Sequence, residues 1–217
     1  MHNRFDKIFK TKKMQYEIIR DENGKHQIGG EIPRDFTIPN NEFLAGFQYL
    51  GFIDNSDPIF SWLPFKVNVI HPIYTHEYFV YLDYSNPNSP TIIESTDTAS
   101  STSAFDEINK DSKVIWEGVK VGLEAKEEID EYESIGICGQ PDWLQDAEIP
   151  KCPKSGKSMK FLCQLGSFSD IKATFSNVEP TKGMDEYFQK LNFWCDGNLY
   201  IFIEPTTKTM CYIMQNT

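Results

Sequence analysis

Short apolar runs of strand length, each closed by a turn signal, recur along this chain of 217 residues. Met14-Gln15-Tyr16-Glu17-Ile18 alternates apolar and polar positions with the period of a half-buried strand. Asp21-Glu22-Asn23-Gly24 follows as a turn of the Asn-Gly type, and Ile28-Gly29-Gly30-Glu31-Ile32-Pro33 adds a second glycine–proline break. Phe43 to Phe52 is apolar almost throughout, and its length and bounding turns predict a buried strand. Tyr78 to Tyr84, rich in aromatic and β-branched residues, is the clearest strand of the first half, and Ser85 to Pro90 closes it. Thr91 to Ser103 is dominated by Ser and Thr, with no apolar period after Ile93, so it reads as a loop or linker.

Between Phe105 and Glu133 two periods compete. Val119, Val121 and Leu123 alternate as in a strand, while Ile115, Val119 and Leu123 recur at helical spacing. Gly118 and Gly122 would each cost a helix about 1 kcal/mol relative to Ala, which favours the strand. Further on, Met159 to Gln164 and Leu199 to Glu204 are apolar strands, the second stopped by Pro205. Met210 to Met214 is a last strand, hairpin-paired with its predecessor across Thr206 to Thr209. Asp185 to Leu191 reads as a short helix with Tyr187, Phe188 and Leu191 on one face.

The two halves resemble each other. Gly30-Glu31-Ile32-Pro33 matches Gly139-Gln140-Pro141 with a one-residue offset, and a second proline (Pro39, Pro150) follows each. Phe47-Gln48 to Phe52 then matches Cys163-Gln164 to Phe168, and Tyr78 to Asp83 matches Leu199 to Glu204 in character. Three matches in the same order predict an internally duplicated β-rich unit. The expected fold is α+β and predominantly β, with few short helices and the halves sharing one core. The halves are residues 1–90 and 113–217, joined by a Ser/Thr-rich linker or loop at 91–112.

Composition adjusts this picture only modestly. Aromatics at 14% reinforce a β-rich reading. A net charge of −11 opposes binding to phosphate backbones and to anionic membranes, and permits a basic protein partner. The charged first residues contain no apolar stretch of a secretory leader, and no apolar run is long enough to span a bilayer. Five cysteines without a small-scaffold spacing fit reduced thiols in a cytoplasm.

Candidate chemistry is sparse. His71 and His76 with Glu77 do not form a His-Glu-x-x-His helix, and Pro72 opposes a helix there. No cysteine stands in a strongly basic or helix-N-terminal context, so all five read as buried thiols. A Cys–His nucleophile pair stays open, because its members need only meet in space. Asp83 and Glu204, placed alike in the repeat, read either as a carboxylate pair or as turn caps.

One set of residues resembles a known family. Gly136-x-x-Gly139-x-Pro141-x-Trp143-x-Gln145, Pro150-x-Cys152-Pro153, Met159-x-Phe161-Leu162-x-Gln164 and Asp196-Gly197-x-Leu199-Tyr200-x-Phe202 are similar to the YwqG-like family. The resemblance is clearest over residues 135–215 and implies a β-rich mixed fold with internal duplication, without implying an activity. Some similar sequences carry a Cys-Pro-x-Cys-Gly knuckle. Here Ser155 stands in place of the second thiolate, so neither metal nor other cofactor is expected.

The candidate binding residues are Gly139, Trp143, Gln145, Gln164 and Asp196, around the turn that follows Gly136 and the one before Leu199. Trp143 with the two glutamines offers stacking area plus amide hydrogen bonding. The competing reading makes Trp143 a plug between the halves and Gln164 a partner for neighbouring backbone. The expected function is a non-enzymatic binding module for an unidentified protein or small molecule. An acidic immunity-type partner of a basic protein is one version. The alternative is a hydrolase or transferase with a site in the cleft between the halves.

Overall fold

A computed structural model describes residues 14–40, 46–72, 79–94, 113–127, 134–167, 170–176, 189–193 and 196–216. These residues are nearly all β. In chain order the strands are β1 (Gln15–Arg20), β2 (His26–Ile28), β3 (Gln48–Ile53), β4 (Val67–His71), β5 (Phe79–Asp83) and β6 (Thr91–Ile92). They continue as β7 (Lys113–Trp116), β8 (Val119–Lys126), β9 (Gly136–Cys138), β10 (Lys160–Gly166), β11 (Ala173–Ser176), β12 (Asn198–Glu204) and β13 (Thr209–Gln215). Among the described residues the helical element is a 3-10 turn at Pro58–Phe60, capped by the Asp57 carboxylate.

Eleven strands join one antiparallel sheet in the order β4-β3-β2-β8-β1-β9-β10-β12-β13-β5-β6, and β11 pairs with β7 alongside. The order interleaves both halves of the chain, with β8 and β1 paired as its fourth and fifth strands and Ile19 opposite Gly122. Outward from that pair each side adds a strand ending at a left-handed glycine, Gly29 after β2 and Gly139 after β9. A Cβ on Gly29 would run into the Glu117 carbonyl, and one on Gly139 into the Met14 carbonyl, so glycine alone fits both places. The next strand on each side is bulged, at Leu50 in β3 and at Leu162 in β10.

The ends of the order approach each other. The Tyr84 hydroxyl, just past β5, donates to the Asn68 carbonyl of β4 at 2.6 Å, and His71 of β4 packs on Tyr212 of β13 at 5.3 Å between rings. Tyr49 also reaches Asn68. The main core lies inside this curled sheet, where Ile18, Val121, Leu165, Ile201, Tyr212 and Val80 meet across both halves. Strands β12 and β13 are buried on both faces, which accounts for their nearly continuous apolar sequences.

Three expectations change. The strand expected over Phe43 to Phe52 begins only at Gln48 among the described residues, because Gln48 is the first position to pair with β4. Thr91 and Ile92, read as the start of a linker, instead extend the sheet by pairing with Asp83 and Leu82, whose backbone groups would otherwise form an open edge. The helix expected over Asp185 to Leu191 falls partly outside the described residues, and Lys190 bridges Lys172 in extended form. His76 and Glu77 also lie outside the described residues.

Candidate functional site

The outer face of β10, β12, β13 and β5 carries a second apolar cluster. Alternation along each strand sends Leu199, Ile201 and Ile203 inward and Tyr200 and Phe202 outward, and it likewise sends Phe79, Tyr81, Cys211, Ile213 and Phe161 outward. Segment 139–159 crosses this face and supplies Trp143, Cys152 and Met159. Trp143 stacks on Tyr200 at 4.6 Å and on Phe202 at 6.0 Å. Trp143, Phe79, Tyr81 and Phe161 stay partly exposed, so the cluster is an aromatic shelf open at its margin.

The turn bearing Trp143 is held by a set of side chains that satisfy its backbone. Gln164, buried in β10, accepts from the Asp142 N–H at 2.8 Å. The Tyr200 hydroxyl donates to the Asp142 carbonyl at 2.6 Å and accepts from the Leu144 N–H at 2.9 Å. Gln215 of β13 accepts from the Gln145 N–H and donates to the Asp146 carbonyl, at 3.1 and 3.0 Å. Gln145 itself is exposed and donates to the Asn216 carbonyl at 2.7 Å. The structure therefore brings Trp143, Gln145 and Gln164 together in a clasp that docks a loop on a sheet, while Gly139 sits at the end of β9 against the Met14 carbonyl. Asp196 sits apart, exposed, in a left-handed turn before β12 with φ of 57°.

Asp83 and Glu204 do not pair. They point outward from β5 and β12 with Thr209 of β13 between them, a separation of two strand spacings or roughly 9–10 Å. Glu204 accepts from the Thr206 and Thr207 N–H groups, and these bonds hold its carboxyl below the usual range despite burial. Asp83 binds Ser85 and, at 2.6 Å, the Lys154 ammonium. Both carboxylates are turn caps.

Cys152 departs from the sequence expectation. Its turn, Cys152 to Lys157, closes through the Gly156 N–H to the Cys152 carbonyl and the Cys152 N–H to the Lys157 carbonyl, both at 2.8 Å. Gly156 is left-handed, with φ of 69°. Burial opposes ionisation of the thiol, but hydrogen bonds with Thr207, at 3.3 Å, and with Ser155 and Thr209 outweigh it and bring the pKa to about 7. Hydroxyl neighbours lower it although Lys151, Lys154 and Lys157 lie in the same stretch of sequence, and only the fold brings Thr207 to Cys152. Cys138 and Cys163, opposite each other in β9 and β10, are pushed up by burial, Cys163 to about 12.

Two buried histidines are neutral. His71 is lowered by desolvation to about 3. His26 is also lowered, chiefly by burial, while its Nδ1 accepts from the Asp54 N–H at 3.0 Å and its Nε2 lies 3.5 Å from Asp57. Among the described residues no cluster of His, Cys, Asp and Glu has the form of a metal site. None of the described helices is long and apolar enough to cross a membrane.

The residues that sequence reasoning missed are Phe79, Tyr81 and Phe161. A run of consecutive apolar residues such as Phe79 to Leu82 in β5 presents apolar side chains to both faces, which is the signal that could have found them.

Comparison with known proteins adds little chemistry. The chain matches no family model, and no solved structure matches it. It is similar to the uncharacterized protein YpfL of Salmonella typhimurium (strain LT2), with 34% identity over 79 residues that make up 36% of this chain and 14% of that protein. The chain thus matches only about a seventh of that relative's length.

Proposed function

We propose that the protein is a non-enzymatic binding module that uses the margin of its outer aromatic shelf to hold a partner. The observation that carries this reading is the partial exposure of Trp143, Phe79, Tyr81 and Phe161 around a buried base of Tyr200 and Phe202. Aromatic rings held rigid by stacking offer contact area at little entropic cost, as binding surfaces require. The test is affinity capture with the wild type and a Tyr81→Ser/Phe161→Ser double variant of matched melting temperature. A partner retained by the first and released by the second supports the reading, and equal capture by both sinks it.

The frame of this module arises, in the same proposal, by internal duplication within a YwqG-like architecture. The strand order supports it over three strands on each side of the Ile19–Gly122 pair, β2-β3-β4 outward on one and β9-β10-β12 on the other, with β13, β5 and β6 added beyond β12. So do the equivalent glycines Gly29 and Gly139 and the equivalent bulges at Leu50 and Leu162. On this alignment β4 corresponds to β12, and Lys160 rather than Gln164 corresponds to Gln48.

A second reading has one observation in its favour. The Cys152 thiol, with its pKa near 7, suits a nucleophile in a hydrolase or transferase. Its partners are hydroxyls rather than a base, and it is 1% exposed, which favours the binding module.

A further inference from the structure

Against its overall charge of −11, the protein gathers lysines at one end of the curled sheet. Segment Lys151-Cys152-Pro153-Lys154-Ser155-Gly156-Lys157-Ser158-Met159-Lys160 holds four lysines and no acid. Cys152 fixes this turn against Thr207, next to Lys208. The Lys208 carbonyl accepts from the Tyr84 N–H at 2.8 Å, and its ammonium lies 6.0 Å from the Phe65 ring. Lys160 stands over Trp62 at 3.5 Å, and Lys66 over Phe52 at 3.4 Å. These contacts tie the loop before β4, the turn before β10 and the β12–β13 turn into one surface.

The carboxylates named at that surface keep their charge but are fewer than its six lysines, Lys66, Lys151, Lys154, Lys157, Lys160 and Lys208. Asp83 is paired with Lys154, and Glu204 is folded onto the Thr206 and Thr207 backbone. Glu148 lies near the Cys152 side and Asp54 near Lys66, where each offsets part of the charge. Lys66, Lys151, Lys154, Lys157 and Lys160 are exposed, and Trp62 and Phe65 are half-buried beside them.

We infer that this end is a docking surface for a short, extended acidic segment of a protein partner, one that also carries an apolar or aromatic residue. The proposal rests on the binding-module reading and names its partner class. Lysines are point charges, and the patch holds no arginine to grip phosphate bidentately. A long polyanion would run past the patch into the acidic remainder of the molecule, whose repulsion extends over about 8 Å at physiological salt. A short acidic segment stays within the positive field, while the rings of Trp62 and Phe65 receive its apolar residue.

The probe is a fluorescein-labelled polyglutamate peptide containing one tryptophan, followed by fluorescence anisotropy at low and high sodium chloride. The wild type binds, and affinity falls at least about tenfold between the two salts. Reversal of Lys151, Lys154 and Lys157 to Glu abolishes binding. Because Lys154 caps β5 through Asp83, the double variant Lys151→Gln/Lys157→Gln keeps the test independent of folding, and it weakens binding severalfold. Lys120→Glu, on the outer side of β8, has no effect.

Absence of binding at low salt overturns the proposal, as does equal loss with Lys120→Glu. Tighter binding of a labelled single-stranded oligonucleotide of equal charge, lost with the same lysines, also overturns it. So does self-association in sedimentation that the same lysines control. If the peptide fails while the shelf variant still releases a captured partner, only the acidic-segment assignment falls. If both fail, the binding-module reading falls with it.

Discussion

At the scale of single residues, Trp143 is the instructive case. The sequence presents it in a glycine-flanked turn, where binding and packing readings stay open together. The structure lays its ring on Tyr200 at 4.6 Å, so its inner face is packing and only its margin is available to a partner. Trp143→Ala is therefore expected to cost about 2–3 kcal/mol of stability, somewhat below a fully buried tryptophan. Chemical denaturation checks this. A variant as stable as the wild type would return Trp143 to the surface.

Two titrating groups give pH predictions of the same sign in different windows, stability rising with pH through each. His71 is neutral in the fold and lowered to about 3, against 6.5 when exposed. The unfolded chain takes up this proton first, so stability is intact above about pH 6.5 and declines steadily as pH falls towards 3. Denaturation midpoints over that range should show a slope that His71→Phe reduces. For Cys152 the folded pKa is lowered, so the stabilisation from its thiolate is absent below about 7 and grows towards pH 9. Thr207→Val removes a principal hydrogen bond and should raise the pKa, as read by thiolate absorbance against pH. An unchanged titration would show that Thr207 does not set the thiol.

Among elements, the strands with a single period were legible in the sequence, and their positions in the sheet were not. Of the strands expected over Tyr78 to Tyr84, Leu199 to Glu204 and Met210 to Met214, the described residues form β5 (Phe79–Asp83), β12 (Asn198–Glu204) and β13 (Thr209–Gln215). Their alternation specifies a face, but pairing is decided by long-range contacts, which put β5 beside β13 and insert β8 between β1 and β2. Gln164 was legible as a polar position in an apolar strand. That it spends its carbonyl on the Asp142 N–H was not, because the two meet only when segment 139–159 folds back over β10. The same distance hid Thr207 from Cys152.

The two left-handed glycines test the symmetry of elements directly. Gly29→Ala and Gly139→Ala each place a Cβ against a backbone carbonyl, Glu117 in one case and Met14 in the other. Both are expected to cost roughly 1–3 kcal/mol. Gly156→Ala, equally left-handed but with open space around it, should cost less. Similar losses at Gly29 and Gly139 support equivalent roles, and indifference at either would deny them.

For the molecule as a whole, the curled sheet closes its interior through Tyr84, Asn68, His71 and Tyr212, and the proposed binding module uses its outer surfaces. Net charge pointed away from anionic partners, yet the fold segregates lysines at one end, which a chain-wide sum conceals. The shelf and the lysine end adjoin, since Cys152 belongs to the first and its turn to the second. The measurement that bears most directly on this account is quantitative capture of partners by the wild type, the Tyr81→Ser/Phe161→Ser variant and Cys152→Ser. The account predicts one stoichiometric protein partner, lost with the aromatic variant and kept with Cys152→Ser. Equal capture by all three, or a substrate turned over by the wild type and spared by Cys152→Ser, would contradict it.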